Sequence, residues 1–310
     1  MDRNYRMELQ YDGTRLHGWA RQEGLPTVEG CLKAALATAL GAAPELQVAG
    51  RTDAGVHARR QVVSLPLSVG IEPARLMRSL NALTPPGIAV TRIVPAPARF
   101  DARTDALSRT YRYFLTDDEV VSPFWAPYCW QVRGAVDLRA LRAAAALVAG
   151  RHDFRAFTPT QTEHLFFERL VLGCAWKKMH AGLPAGAPPP GTTLPNGAPR
   201  SGARAPTGAA QANGFRHPPT GAADRAPVSG ETAPAQGLRG VFYLQIEAEA
   251  FLRHMVRTLV GTMIEVARGE RSLEAFARLL EGAPREEAGF TVPARGLFLW
   301  DVRYGATRRG

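Results

Sequence analysis
The sequence predicts an α+β fold built from two related halves. Segments with a two-residue apolar period alternate with segments of helical period, and this order repeats loosely along the chain. With 310 residues and an apolar fraction of 45%, there is material for a packed core in each half. The boundary is expected near Ala102–Ser108, giving an N-terminal half of residues 1–105 and a C-terminal half of residues 106–310.

The elements follow in order. YRMELQY places Tyr5, Met7, Leu9 and Tyr11 on one side of a strand. TVEGCLKAALATALG reads as a helix with Val28, Leu32, Leu36 and Ala39 on one stripe, Thr27 as N-cap and Gly41 as its end. ELQV and QVVSLPL are strands, and PARLMRSLNAL is a helix that turns Leu76, Leu80 and Leu83 inward. In the second half, RTYRYFLT is a strand and DLRALRAAAALVAG a helix ending at Gly150. RLVLGCAWKKM and GVFYLQIEAEAF are strands, the latter with Phe242, Leu244 and Ile246 alternating against polar residues. A long helix is expected over 250–269 and a shorter one in SLEAFARLLEG, and GLFLWDVRY closes the chain as a strand.

Residues 181–238 stand apart. They hold nearly half of the 24 prolines and a third of the 30 glycines, with no apolar period. Such a stretch buries too little surface to offset its chain entropy, so a disordered insertion between two neighbouring strands is expected. Loop entropy grows slowly with length, so the fold tolerates it.

The three cysteines, Cys31, Cys129 and Cys174, are far apart and fit neither a disulfide nor a metal-ligand pattern. No apolar run reaches the length of a membrane helix, and the N-terminus lacks the apolar stretch of a signal peptide; a cytoplasmic protein is the expectation. A net charge of +10 favours a polyanionic partner, although arginine-rich composition alone can produce it.

The stretch AGRTDAGVHARRQVVS, residues 49–64, concentrates the chemistry. Asp53 before Ala54-Gly55 is ordinary turn chemistry on its own. Its neighbours change that reading. Arg51 and Arg59 carry guanidinium forks suited to phosphate, and His57 adds a donor. Cations around an acid favour its charged form. A carboxylate on a sharp turn among such groups suits chemistry on a nucleic-acid backbone or sugar.

GRTDAGVHA (50–58) resembles the signature of the tRNA pseudouridine synthase A family. YDGTRLHGWARQ (11–22), NALTPP (81–86), FDARTDALSRTYRY (100–113), GRHDFRAF (150–157), FLRHMVR (251–257) and ARGLFLWDV (294–302) resemble further family motifs, in order, over nearly the whole chain outside the insertion. The resemblance implies a mixed, mainly antiparallel sheet flanked by helices, the pseudouridine synthase fold. It implies isomerisation of a flipped uridine in the tRNA anticodon arm, at positions 38, 39 and 40, by a homodimer, with no cofactor and no metal. Asp53 matches the family's essential aspartate, and its role is either attack on the ribose or proton abstraction next to C1′. Arg257 matches the arginine that pairs with it, and the apolar surroundings of that helix call for such a partner. Tyr111 matches the tyrosine that stacks on the uracil. Arg51 resembles the arginine that fills the space left by the flipped base, and Leu299 is expected to line the pocket beside it. His57, Arg59 and Gln61 are candidate RNA contacts. Ala20 stands where the family usually has glutamine, and residues 158–176 are more apolar than the usual run. Two other readings compete: an inactive RNA-binding homologue of the same fold, and a nuclease, which would commonly need further carboxylates for metal, where the neighbourhood of Asp53 offers only Glu45.

Overall fold
A computed structural model describes residues 2–162, 165–179 and 240–305 of the chain. The expected insertion at 181–238 lies outside the described residues. The N-terminal strand β1 (Asp2–Tyr11) pairs antiparallel with β3 (His57–Ser68) and with β4 (Ile88–Pro95), and the short β2 (Gln47–Val48) joins β3. The helices here are α1 (Val28–Leu40) and α2 (Pro73–Leu83). Then come β5 (Ala106–Thr116), β6 (Trp130–Gln131), α3 (Leu138–Leu147), β7 (Gly150–Asp153), β8 (Glu168–Lys178), β9 (Val241–Ala248), α4 (Met255–Ala267), α5 (Leu273–Leu279) and β10 (Leu297–Tyr304).

One sheet runs through the chain in the order β4-β1-β3-β10-β5-β9-β8-β7, with β2 and β6 paired at its sides. It is mainly antiparallel. The last strand, β10, is inserted at its centre, parallel to β3 and antiparallel to β5. This is the mixed α+β sheet expected of the pseudouridine synthase fold. Strands β8 and β9, which flank the undescribed segment, are antiparallel neighbours with Lys178 opposite Phe242.

Alternation gives the sheet two different sides. On one, Met7 and Leu9, Val63 and Leu65, Tyr113, Leu244 and Ile246 are buried beneath the helices. On the other, polar residues pair across strands: Glu8 accepts from Arg6 at 2.7 Å and from Arg60 at 3.1 Å, and Arg60 also donates to Asp301 at 2.8 Å. Burial opposes the charge on Glu8, but the two guanidiniums outweigh it and hold its carboxyl below the usual range.

Local chemistry explains most boundaries. The Thr27 side chain accepts from the Gly30 amide and opens α1, and Gly41, in the left-handed region at φ 86°, closes it. Three expectations need correction. Leu83 is 44% exposed rather than inward, because α2 ends there and its buried stripe is Leu76 and Leu80. Strand β3 starts at His57, so half of the charged motif is strand rather than turn. The helix expected over 250–269 starts only at Met255, because His254 takes a left-handed conformation and residues 250–253 run as a loop.

Two outcomes follow. Since the Glu8 carboxyl sits lower in the folded than in the unfolded chain, its stabilisation is present at neutral pH and is lost as pH falls through the carboxylate range. Glu8→Gln should therefore lower stability at pH 7 by on the order of 1–2 kcal/mol, and in melting curves the gap between variant and parent should narrow progressively as pH falls below the ordinary carboxylate range. Deleting residues 182–236 should leave the melting temperature and activity nearly unchanged, because the strands it joins already pair; a loss of either, by calorimetry or assay, would contradict this.

Candidate active site
The loop between β2 and β3 carries Asp53, and a buried network fixes its shape. Gln61 donates to the Gly50 carbonyl at 2.8 Å and to the Tyr11 hydroxyl at 3.1 Å, and that hydroxyl lies 2.8 Å from the Thr52 hydroxyl. The Val56 amide closes the turn on the Asp53 carbonyl at 3.1 Å, with Gly55 at φ 77° supplying the conformation that other residues resist. The Trp19 amide donates to the Thr52 carbonyl, and the Gly55 amide to the Leu16 carbonyl, so the loop is stitched to the YDGTRLHGW segment.

Arg109 ties this loop to the second half of the chain. Its guanidinium donates to the Ala49 carbonyl at 2.8 Å, to the Arg103 carbonyl at 2.5 Å and to the Glu249 carbonyl at 2.6 Å. Asp53 is thereby held opposite the start of α4. There, Arg257 Nη1 lies 3.6 Å and His254 Nε2 3.5 Å from the same oxygen, Asp53 Oδ2. Arg257 is itself aimed by its Nε, which donates to the Val292 carbonyl at 2.8 Å. Gly261, one turn further along α4, lets the chain at Phe290 approach; an added methyl would collide with the Phe290 carbonyl.

These groups open into a cavity of about 1430 Å³ over the centre of the sheet. Its wall carries six arginines against two carboxylates, Asp53 and Glu29, so it is a basic cleft around one central acid. Tyr111 lies on that wall, 8% exposed, its ring edge-to-face with Phe251 at 4.8 Å. Burial, with Tyr11 and Asp53 adding, raises its phenol well above the ordinary range, so the resting side chain is neutral. Among the described residues no three His, Cys, Asp or Glu side chains cluster to hold a metal, and no helix is long and apolar enough to cross a membrane.

The structure thus brings Asp53, Tyr111, Arg257 and Arg51 to one cavity. The other candidates are placed differently. His57 is 1% exposed, with Nε2 3.0 Å from the Arg295 carbonyl and Nδ1 3.0 Å from the Gly13 amide and 3.1 Å from Asp12 Oδ1; its polar edge is used up inside the protein. Gln61 is fully buried and spent on the loop. Neither can touch RNA, and both act as supports. Arg59 lies over the Trp300 ring at 5.0 Å, on the sheet face away from the helices, and does not line the cavity. Leu299 is fully buried between Ala58 and Tyr111, while Leu297, two residues earlier on the same side of β10, reaches the cavity wall. Sequence reasoning misses His254 and Arg109. The apolar period of 250–269 hides His254, and nothing in its local pattern distinguishes Arg109 from a surface arginine.

The fold and the cleft define a pseudouridine synthase, an isomerase. A family model described as tRNA pseudouridine synthase matches residues 144–305. The tRNA pseudouridine synthase A of Geobacter sp. (strain M21) is 33% identical over 97% of this chain and 99% of its own length. That of Citrifermentans bemidjiense is 32% identical over 97% and 98%, and that of Myxococcus xanthus 30% identical over 96% and 91%. The chain belongs to the tRNA pseudouridine synthase A family.

His57→Ala separates support from RNA contact. It should cost about 1–3 kcal/mol of stability by stranding buried partners, while the folded variant binds tRNA within about twofold of the parent in a filter or anisotropy assay. Weakened binding with unchanged melting would restore His57 as a contact.

Proposed function
We propose that this chain converts uridine to pseudouridine in the anticodon arm of tRNA, at positions 38, 39 and 40, with Asp53 as the essential carboxylate. The observation that carries this reading is the meeting of Asp53, Arg257 and Tyr111 in one basic cavity, from stretches far apart in the chain. The reaction runs in the cytoplasm, in a homodimer, and draws on no cofactor.

The chemistry balances without an oxidant or reductant. The N1–C1′ bond breaks, the uracil turns, a C5–C1′ bond forms, C5 loses its proton and N1 gains one. Asp53 acts either by attack at the ribose or by proton abstraction next to C1′. Both demand a carboxylate held still and partly shielded from water. Asp53 meets that demand: its side chain is 31% exposed, with its charge partnered at Oδ2. A flipped base loses its stacking and needs compensation. Tyr111 offers a ring on the cavity wall, and Arg51, exposed on the same wall, fills the gap in the RNA in this reading. Of the other four cavity arginines, Arg109 is spent on backbone carbonyls, and Arg103, Arg169 and Arg253 offer charge to the phosphates.

The test is pseudouridine formation on an unmodified tRNA with uridines at 38–40, in chelator. The parent should be active, and Asp53→Asn should lose at least about a hundredfold. Arg257→Lys keeps the charge but not the fork that serves Val292 and Asp53 together, and should lose about tenfold to a hundredfold with tRNA binding retained. Tight tRNA binding without activity in the parent would favour the inactive binding homologue, and activity abolished by chelator alone would favour metal chemistry.

A further inference from the structure
His254 is the single non-glycine residue with positive φ among the described residues, at φ 61°. Strain of this kind persists only where the surroundings over-determine it. Position 254 precedes α4, yet the His254 side chain does not cap the helix. It lines the cavity instead, with Nε2 3.5 Å from Asp53 Oδ2 and its side chain 24% exposed.

Two nitrogen-bearing side chains therefore converge on one oxygen of Asp53, Arg257 and His254 both on Oδ2. The charged neighbours of the imidazole are Asp53, Arg257, Arg253 and Arg285. Burial is the main cause that lowers its proton affinity; the three arginines add to this, and Asp53 opposes it without reversing it. The lowered proton affinity favours the neutral ring, which brings Nε2 to Asp53 Oδ2 without a further full charge.

We propose that His254 is a positioning residue for the isomerisation, holding Asp53 Oδ2 together with Arg257 so that Oδ1 is turned to the uridine. The left-handed backbone is what points the ring at the carboxylate. This rests on the reading of Asp53 as the reacting carboxylate. It also accounts for the late start of α4, since a helix continued back through position 254 would lack that conformation.

The test compares His254→Gly and His254→Asn with the parent and with Asp53→Asn, in the full chain, on unmodified tRNA. Glycine accepts positive φ without cost and removes only the side chain. Asparagine tolerates the same backbone and restores an N–H donor. The glycine variant should melt like the parent, lose about tenfold or more in kcat and keep KM within about twofold. Asparagine should recover most of the loss, and added imidazole should partly rescue the glycine variant. Parent-like kcat for the glycine variant, or a rise in KM alone, would overturn the proposal. So would an asparagine variant that folds yet is no better than glycine. Activity in Asp53→Asn would instead remove the reading beneath it, a result distinct from any of these.

Discussion
Arg257 reaches Asp53 across the cleft, and the architecture around the site follows from having to make that contact. The two residues are some two hundred positions apart in sequence and sit on a loop and a helix that share no local structure. Their approach depends on β10, which enters the middle of the sheet and pairs with β3 on one side and β5 on the other. Strand β3 begins just after the Asp53 turn, and β5 carries Tyr111. Loss of β10 would free the Asp53 loop from the elements that face it. The last strand of the chain is thus the clamp of the site, although only Leu297 of its residues reaches the cavity.

The support around the ion pair is polar and buried, and this makes it exacting. Gln61, Tyr11 and Thr52 lie within hydrogen-bonding distance of one another or of the loop backbone, and Arg109 spends its guanidinium on carbonyls from three stretches of chain. A buried polar group left without a partner costs more than its bond contributes when made, so such networks fix one geometry or fail. A reacting carboxylate benefits from that stiffness, since small displacements at a reaction centre are expensive in rate.

Much of this is legible in the sequence, and the limits have physical causes. The ends of α1 can be read because Thr27 and Gly41 carry their own capping chemistry. The convergence of Asp53, Tyr111 and Arg257 is legible only through family motifs; no periodicity brings those positions together. Apolar spacing starts α4 too early, because it continues through residues 250–254 while the backbone turns left-handed at His254, and spacing does not report φ. His57 and Gln61 mislead for a related reason. Polar residues beside a charged motif resemble ligand contacts until burial shows that the loop itself consumes their hydrogen bonds. Leu297 takes the place expected for Leu299 because strand alternation sets the side a residue faces but not how far along the strand the cavity extends.

The role of Asp53 is tested most directly by a structure of the protein bound to its tRNA, read for what Asp53 touches. That complex should hold a uridine out of the helical stack, its ring against Tyr111, with Asp53 Oδ2 still held by Arg257 and Oδ1 within about 3.5 Å of the ribose at C1′ or its neighbour. A base seated elsewhere in the basic cleft, with Asp53 contacting only protein, would contradict it.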